Sequence, residues 1–302
     1  MIARFVATIC TFSIVLTGQE LEAPEALAGA IRQQQWPEVL AVAGKLQAAD
    51  PKNPVPSAWA GIALLKQQDY VRAVLVLRSA EKLGLDNPTL HKSLGLAYFG
   101  LRQHQLFLKK MADANHANNR DAEPYYHLGR YYAQVMNDFE KALKLFDLAL
   151  ERNPGEYTSL QFRGVCLQAL HREAEAKAAF LEVIRTVETS GLRYGWPYQR
   201  LAELLLAKSE DGEIETALRY ARRAVELDPR NDTGHATLAK TLEKLERWKE
   251  ALAERQEAAR LNPSEASHRY LLSRLYRRLG NTVQADEELK TYEKLRATYG
   301  IR

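Results

Sequence analysis

Tyr125-Tyr126-His127-Leu128-Gly129-Arg130-Tyr131-Tyr132, then Lys141-Ala142-Leu143-Lys144-Leu145-Phe146-Asp147-Leu148-Ala149, closed by Asn153-Pro154, is the stretch that decides the fold. In the first block Tyr125, Leu128, Gly129 and Tyr132 follow at spacings of three, four and seven, which is one face of a helix. Ala142, Phe146 and Ala149 carry the same mark in the second block. Met136-Asn137-Asp138 is a short polar turn between them, and Pro154 cannot continue a helix. The segment reads as an antiparallel helical hairpin. Gly129 is small so that the two helices can approach closely. Tyr132 and Phe146 fill the space beside it, and Ala142 and Ala149 stay small where the next hairpin leans in. A leucine at Gly129 is expected to overpack the crossing.

Working outward, the same signature returns. Gly61, Gly95, Gly129 and Gly164 lie 34, 34 and 35 residues apart, each with an apolar or aromatic residue three places on: Leu64, Tyr98, Tyr132 and Leu167. Later units put alanine or serine at the glycine position, at Ala202, Ala239 and Ser273. Ala202 to Ala239 is 37 residues, with the surplus in the acidic turn Glu210-Asp211-Gly212-Glu213. Second runs are marked by Ala73, Leu77 and Ala80; by Ala176, Phe180 and Val183; by Ala217, Ala221 and Ala224; and by Ala251, Arg255 and Ala258. One second run places Phe107 where alanine is usual. Several stop at Asn-Pro or Asp-Pro: Asp228-Pro229, Asn262-Pro263 and Asn153-Pro154. A fixed period of this size is the mark of a stacked-repeat architecture.

The pattern resembles the tetratricopeptide repeat, a helix-turn-helix unit of 34 residues. The resemblance covers nearly all of the chain after its N-terminal segment, from a degenerate first unit at Pro24 to Pro51 through a last one carrying Ala285, Leu289 and Tyr292. It implies an all-α, right-handed α-solenoid of about eight hairpins. Residues 20–190 would hold about five of them and residues 195–302 about three. Between the two sets runs Thr189-Ser190-Gly191-Leu192-Arg193-Tyr194-Gly195-Trp196-Pro197, either a longer loop within one array or a bend between two. The charged segment Asp286 to Tyr299 is expected to cap the open end.

The N-terminus reads as an export signal over residues 1–18. Arg4 flanks an apolar stretch from Phe5 to Leu16, and Thr17 and Gly18 are small residues suited to cleavage. Export would place the body in the periplasm or outside the cell, and an uncleaved N-terminal membrane anchor is the alternative. With 42 basic and 38 acidic side chains, mostly interspersed, the net charge of +4 is too dilute to imply nucleic acid. Cys10 lies in the apolar stretch and Cys166 alone lies in the repeats, so no internal bridge is expected there.

No catalytic, cofactor or metal signature emerges. Gly95 to Gly100 spells G-x-x-x-x-G, but Leu101-Arg102 follows where a phosphate loop needs Lys and Ser or Thr. Asp228-x-Arg230-x-Asp232 has a base where a calcium loop needs an oxygen. The seven histidines are scattered about one per unit, and His127 and His235 read as packing or solvated residues. Cys166 reads as core filler.

The groove remains. In the tetratricopeptide family the first helices line a concave surface that takes peptides or partner helices. Projecting one face through each first helix of this chain gives Lys92, Phe99, Tyr126 and Arg130, then Gln161, Gln199 and Glu203, and finally Lys240, Tyr270, Arg274 and Arg277. The arginines can pair with carboxylates and the tyrosines supply flat contact area. The carboxylate clamp of some family members is not reproduced, because Leu96 sits where an asparagine is required. The expected function is a non-enzymatic protein-interaction scaffold without cofactor. A regulatory arm of an envelope enzyme complex and an RNA-binding helical repeat are the alternatives.

Overall fold

The computed structural model describes residues 21–208 and 212–299. The export segment expected at the N-terminus lies outside the described residues, as do Glu210 and Asp211 of the acidic turn. Among the described residues there are sixteen helices and no strand. None of these helices is long and apolar enough to cross a membrane.

The chain forms two compact units, dividing between Leu128 and Gly129. The first holds α1 (Glu25–Arg32), α2 (Trp36–Ala49), α3 (Pro54–Lys66), α4 (Tyr70–Lys82), α5 (Pro88–Gly100) and α6 (His104–Ala117). Helix α7 (Glu123–Gln134) runs through the division. The second holds α8 (Phe139–Arg152), α9 (Tyr157–Ala169), α10 (Glu173–Thr189), α11 (Trp196–Lys208), α12 (Glu213–Leu227), α13 (Asp232–Lys244), α14 (Trp248–Leu261), α15 (Ala266–Arg278) and α16 (Thr282–Tyr299). The helices pair in sequence as eight hairpins, and within each unit the most extensive packing joins the two helices of one hairpin.

Local chemistry sets the boundaries. Asn53 and Asn87 cap α3 and α5 by accepting from backbone N–H groups of the first turn, each with a proline as the first helical residue. Asp69 and Asp138 do the same for the second helices α4 and α8. Helices α8, α12 and α14 end at the residue before the Asn-Pro or Asp-Pro pair, as expected. The turn inside a hairpin places one residue in the left-handed region, at Gln68, Arg102, Asn137, His171 and Glu246. In the last hairpin Gly280 takes that place.

The core follows the repeat. In the first unit Leu77 and Met111, and in the second Phe146 and Phe180, are fully buried beside the small residue of the facing helix. A Cβ on Gly129 would lie 2.8 Å from the Phe146 ring, and one on Gly164 2.5 Å from that of Phe180. Phe107, the departure from the pattern, is buried and packs its ring 5.3 Å from that of Phe99. Tyr131, rather than Tyr132, is the more buried of the neighbouring tyrosines, while Lys141 Nζ lies 3.9 Å over the Tyr132 ring. Helix α10 runs on past Val183 to bury Ile184 and Val187. Tyr194 of the connection packs on the cluster of Leu160, Val183 and Val187, and its ring stacks on Trp196. Helix α16 turns Asp286, Glu287, Lys290, Glu293 and Lys294 to solvent, together with Val283.

Candidate functional site

Each unit carries part of the first-helix face. In the first unit, Lys92 is spent inside the fold. Its ammonium lies 2.7 Å from Asp121 and 2.6 Å from Glu123. Burial, the largest single influence, opposes its charge, but the two carboxylates outweigh it and hold the amine above its ordinary pKa. Phe99 packs edge-on against His104 as well as against Phe107. Tyr126 is half-buried, with its ring 5.1 Å from that of His127.

In the second unit the polar residues join into a ladder between successive first helices. Gln161 of α9 is only 8% exposed and accepts from the Tyr194 hydroxyl at 3.1 Å. Arg200 of α11 donates to Gln168 of α9 and, at 2.6 Å, to Glu203. Gln199 donates to Glu203 at 2.9 Å and accepts from Thr233 of α13 at 3.2 Å. Glu203 accepts in turn from the Thr237 hydroxyl at 3.1 Å. Buried polar groups must be paired, and these side chains pair with each other across α9, α11 and α13. Arg130 is half-buried, its guanidinium 5.7 Å from the Phe162 ring, which stacks on Phe146.

The remaining predicted residues are exposed. Lys240 of α13 and Arg274 of α15 occupy the same place in successive hairpins and make no ion pair among the described residues. Tyr270 is 42% exposed, with its ring 5.3 Å from that of Tyr292 and 6.0 Å from the Arg274 guanidinium. Arg277 is exposed and pairs with Asp286 at 3.2 Å. Asp232 ties the starts of α13 and α15 together, accepting from His268 at 3.1 Å and from Asn262 at 2.9 Å. Burial pushes that carboxyl up, and the two hydrogen bonds more than offset it, so its pKa is lowered.

Three features were not evident from the sequence. The ladder partners Arg200, Thr233 and Thr237 were missed, although polar residues about 34 apart on first helices were a usable signal. Asp232 was missed as well. His235 is the packing residue of the two expected alternatives, and it is also clasped: it is buried, with Nδ1 2.6 Å from Glu254 and Nε2 3.1 Å from the Pro229 carbonyl. Both partners can accept, so the doubly protonated ring is the form that satisfies both contacts at once. The Glu254 hydrogen bond, chiefly, raises its pKa. A raised histidine pKa stabilises the fold fully below the unfolded value of about 6.5, and that contribution fades as pH climbs through the folded value. His235→Gln is therefore expected to flatten the fall in melting temperature between pH 6 and pH 9. An unchanged slope in paired thermal melts would count against the clasp. Cys166 is buried and its thiol is pushed up to about 12, mainly by burial, which makes it an inert core residue.

Comparison with known families places this geometry. Residues 122–156 and 236–297 match models described as tetratricopeptide repeat. In these two stretches the chain is similar to tetratricopeptide repeats. Similar solved structures extend the likeness in fold to most of the chain. The C-terminal part of a TPR repeat-containing protein from Cytophaga hutchinsonii is 14% identical, with a TM-score of 0.62 over 80% of this chain and 96% of that one. The APC/C hetero-tetramer Cut9-Hcn1 is 13% identical, with a TM-score of 0.60 over 89% of this chain and 51% of that one. Yeast Tom70 is 15% identical, with a TM-score of 0.58 over 93% of this chain and 62% of that one. At these identities the likeness shows the fold, an all-α solenoid of helical hairpins. A comparison with curated proteins finds no significant match.

Proposed function

We propose that this chain is a non-enzymatic protein-interaction scaffold of the cell envelope that holds an extended acidic peptide segment of a partner across α13 and α15. The observation that carries it is the pair Lys240 and Arg274, exposed at matching places on those two helices, with Tyr270 beside Arg274. Upstream in the same unit the corresponding polar positions are engaged with one another through the ladder. Two separated cations and an aromatic face suit carboxylates along an extended chain. A preformed helical surface also spares the receptor an ordering cost, so few contacts suffice. The tetratricopeptide likeness supports binding of a protein partner. The apolar stretch Phe5 to Leu16 supports the envelope location.

The test is fluorescence anisotropy with labelled decapeptides, one rich in Asp and Glu and one rich in Lys. The acidic peptide should bind and weaken with salt. Lys240→Glu with Arg274→Glu should cost about tenfold in affinity, in line with roughly 1.4 kcal/mol for the two charges together. Equal binding of both peptides, or tighter binding of single-stranded RNA, would remove this assignment.

A further inference from the structure

Local ion pairs occur on the second helices of both units, Arg72 with Asp69 in the first among them, but α4 and α6 add a cluster of exposed apolar side chains and cations. In the second unit, exposed charges near the second helices pair locally: Arg172 with Glu175, Arg223 with Glu226, Arg247 with Glu250 and Arg260 with Glu257. In the first unit, α4 and α6 turn large apolar side chains to water. Val71 and Leu75, one turn apart on α4, are 60% and 65% exposed. Leu106, one repeat on in α6, is 42% exposed. Arg78, Lys82 and Lys109 are exposed on the same two helices and make no ion pair among the described residues. The acids nearby are already taken: Lys110 of α6 pairs with Glu81 of α4 at 2.6 Å and with Asp113 at 3.0 Å, which also ties the two helices side by side.

We propose that the α4–α6 face of the first unit seats on an anionic phospholipid surface. Val71, Leu75 and Leu106 would enter the boundary between headgroups and acyl chains, while Arg78, Lys82 and Lys109 would meet headgroup phosphates. Apolar side chains interspersed with cations, with the acids neutralised, are the composition that partitions to such an interface. The chain outside the described residues points the same way. The apolar stretch ends at Leu16, and Leu21 is already buried in the first unit. Five residues reach about 18 Å at most, so whenever that stretch occupies a bilayer the first unit lies against its surface. The proposal does not depend on the peptide face of the second unit.

The full chain carrying Leu75→Trp tests it, titrated with vesicles of phosphatidylcholine alone or mixed with phosphatidylglycerol, each with brominated acyl chains. Tryptophan emission above that of the unsubstituted chain should be quenched in the anionic vesicles and not in the neutral ones. Arg78→Gln, Lys82→Gln and Lys109→Gln together should lower the apparent affinity read by that quenching about a hundredfold, at about fivefold per cation removed. Three results would overturn the proposal. One is no quenching of the added tryptophan while the chain still floats with vesicles, which assigns membrane binding to residues 1–20. Another is quenching indifferent to lipid charge or to the triple change. The third is a lipid-free emission shift that grows with protein concentration, which assigns the face to a second copy of this chain.

Discussion

Gly195→Ala is expected to lower the stability of the second unit by about 3 kcal/mol, the largest effect of any glycine-to-alanine change among the described residues. The added Cβ would sit 2.5 Å from the backbone oxygen of Ala224 and 3.3 Å from its carbonyl carbon. A carbonyl at the end of α12 cannot rotate away as a side chain can, so the connection or the helix must shift. The connection has little freedom to do so. Tyr194 and Trp196 flank the glycine, stacked on each other and packed edge-on against Tyr157 and Phe180 respectively. Arg193 also donates to the Glu226 carbonyl at 3.2 Å. At about 2–4 °C per kcal/mol for a unit of this size, the melting temperature should fall by about 6–12 °C. Other glycines provide the scale. A Cβ on Gly95 meets the Met111 methyl at 2.6 Å, which a flexible thioether can withdraw, and helix propensity returns about 1 kcal/mol, so Gly95→Ala should be close to neutral. Gly29 lies within α1 with nothing inside 4 Å of its Cβ, so Gly29→Ala should be neutral or mildly stabilising. A Gly195→Ala melt within about 2 °C of the unsubstituted chain would mean that the connection is looser than its packing indicates.

The same residues show where sequence periodicity was enough and where it failed. Small side chains at Gly61, Gly95, Gly129 and Gly164, each facing a plug about sixteen residues on, made the hairpins legible, because close helix approach leaves few alternatives in residue type. Helix boundaries were legible too, since prolines and capping side chains act on their immediate neighbours. The candidate site was less so. Projecting a helix face marks which residues share a side, but not whether a neighbouring hairpin already satisfies them. Gln161, Gln199 and Glu203 were picked as lining, and each is engaged across the stack. Lys92 was picked on the same grounds and is held by two carboxylates of the following segment. Such pairings depend on rotamers and on partners about 30 residues away, which a single period does not encode. The division between Leu128 and Gly129 falls inside α7, past Pro124 in its first turn, where no loop or change of composition marks it.

One marker of the repeat carries a charge where its counterparts are apolar. Arg255 stands in α14 between Ala251 and Ala258, where Leu77, Met111, Phe146 and Phe180 stand in their own hairpins. It is only 4% exposed, and its Nε donates to Glu243 at 2.8 Å. A guanidinium in a plug position is tolerable only while a carboxylate answers it. Glu243→Ala should therefore destabilise the second unit by about 3 kcal/mol, far more than truncating a partly exposed glutamate costs elsewhere, because it leaves the buried cation unanswered. Arg255→Leu should behave in the opposite sense. It restores an apolar side chain at the plug position and leaves Glu243 at a partly exposed site where water can solvate it, so stability should hold or rise by about 1 kcal/mol. In the double variant the loss caused by Glu243→Ala should largely vanish, giving a coupling of about 2–3 kcal/mol in a thermodynamic cycle read by chemical denaturation. If Glu243→Ala costs no more than about 0.5 kcal/mol, or if Arg255→Leu fails to rescue it, the guanidinium reaches water or another acceptor, and the plug at this hairpin is not ionic.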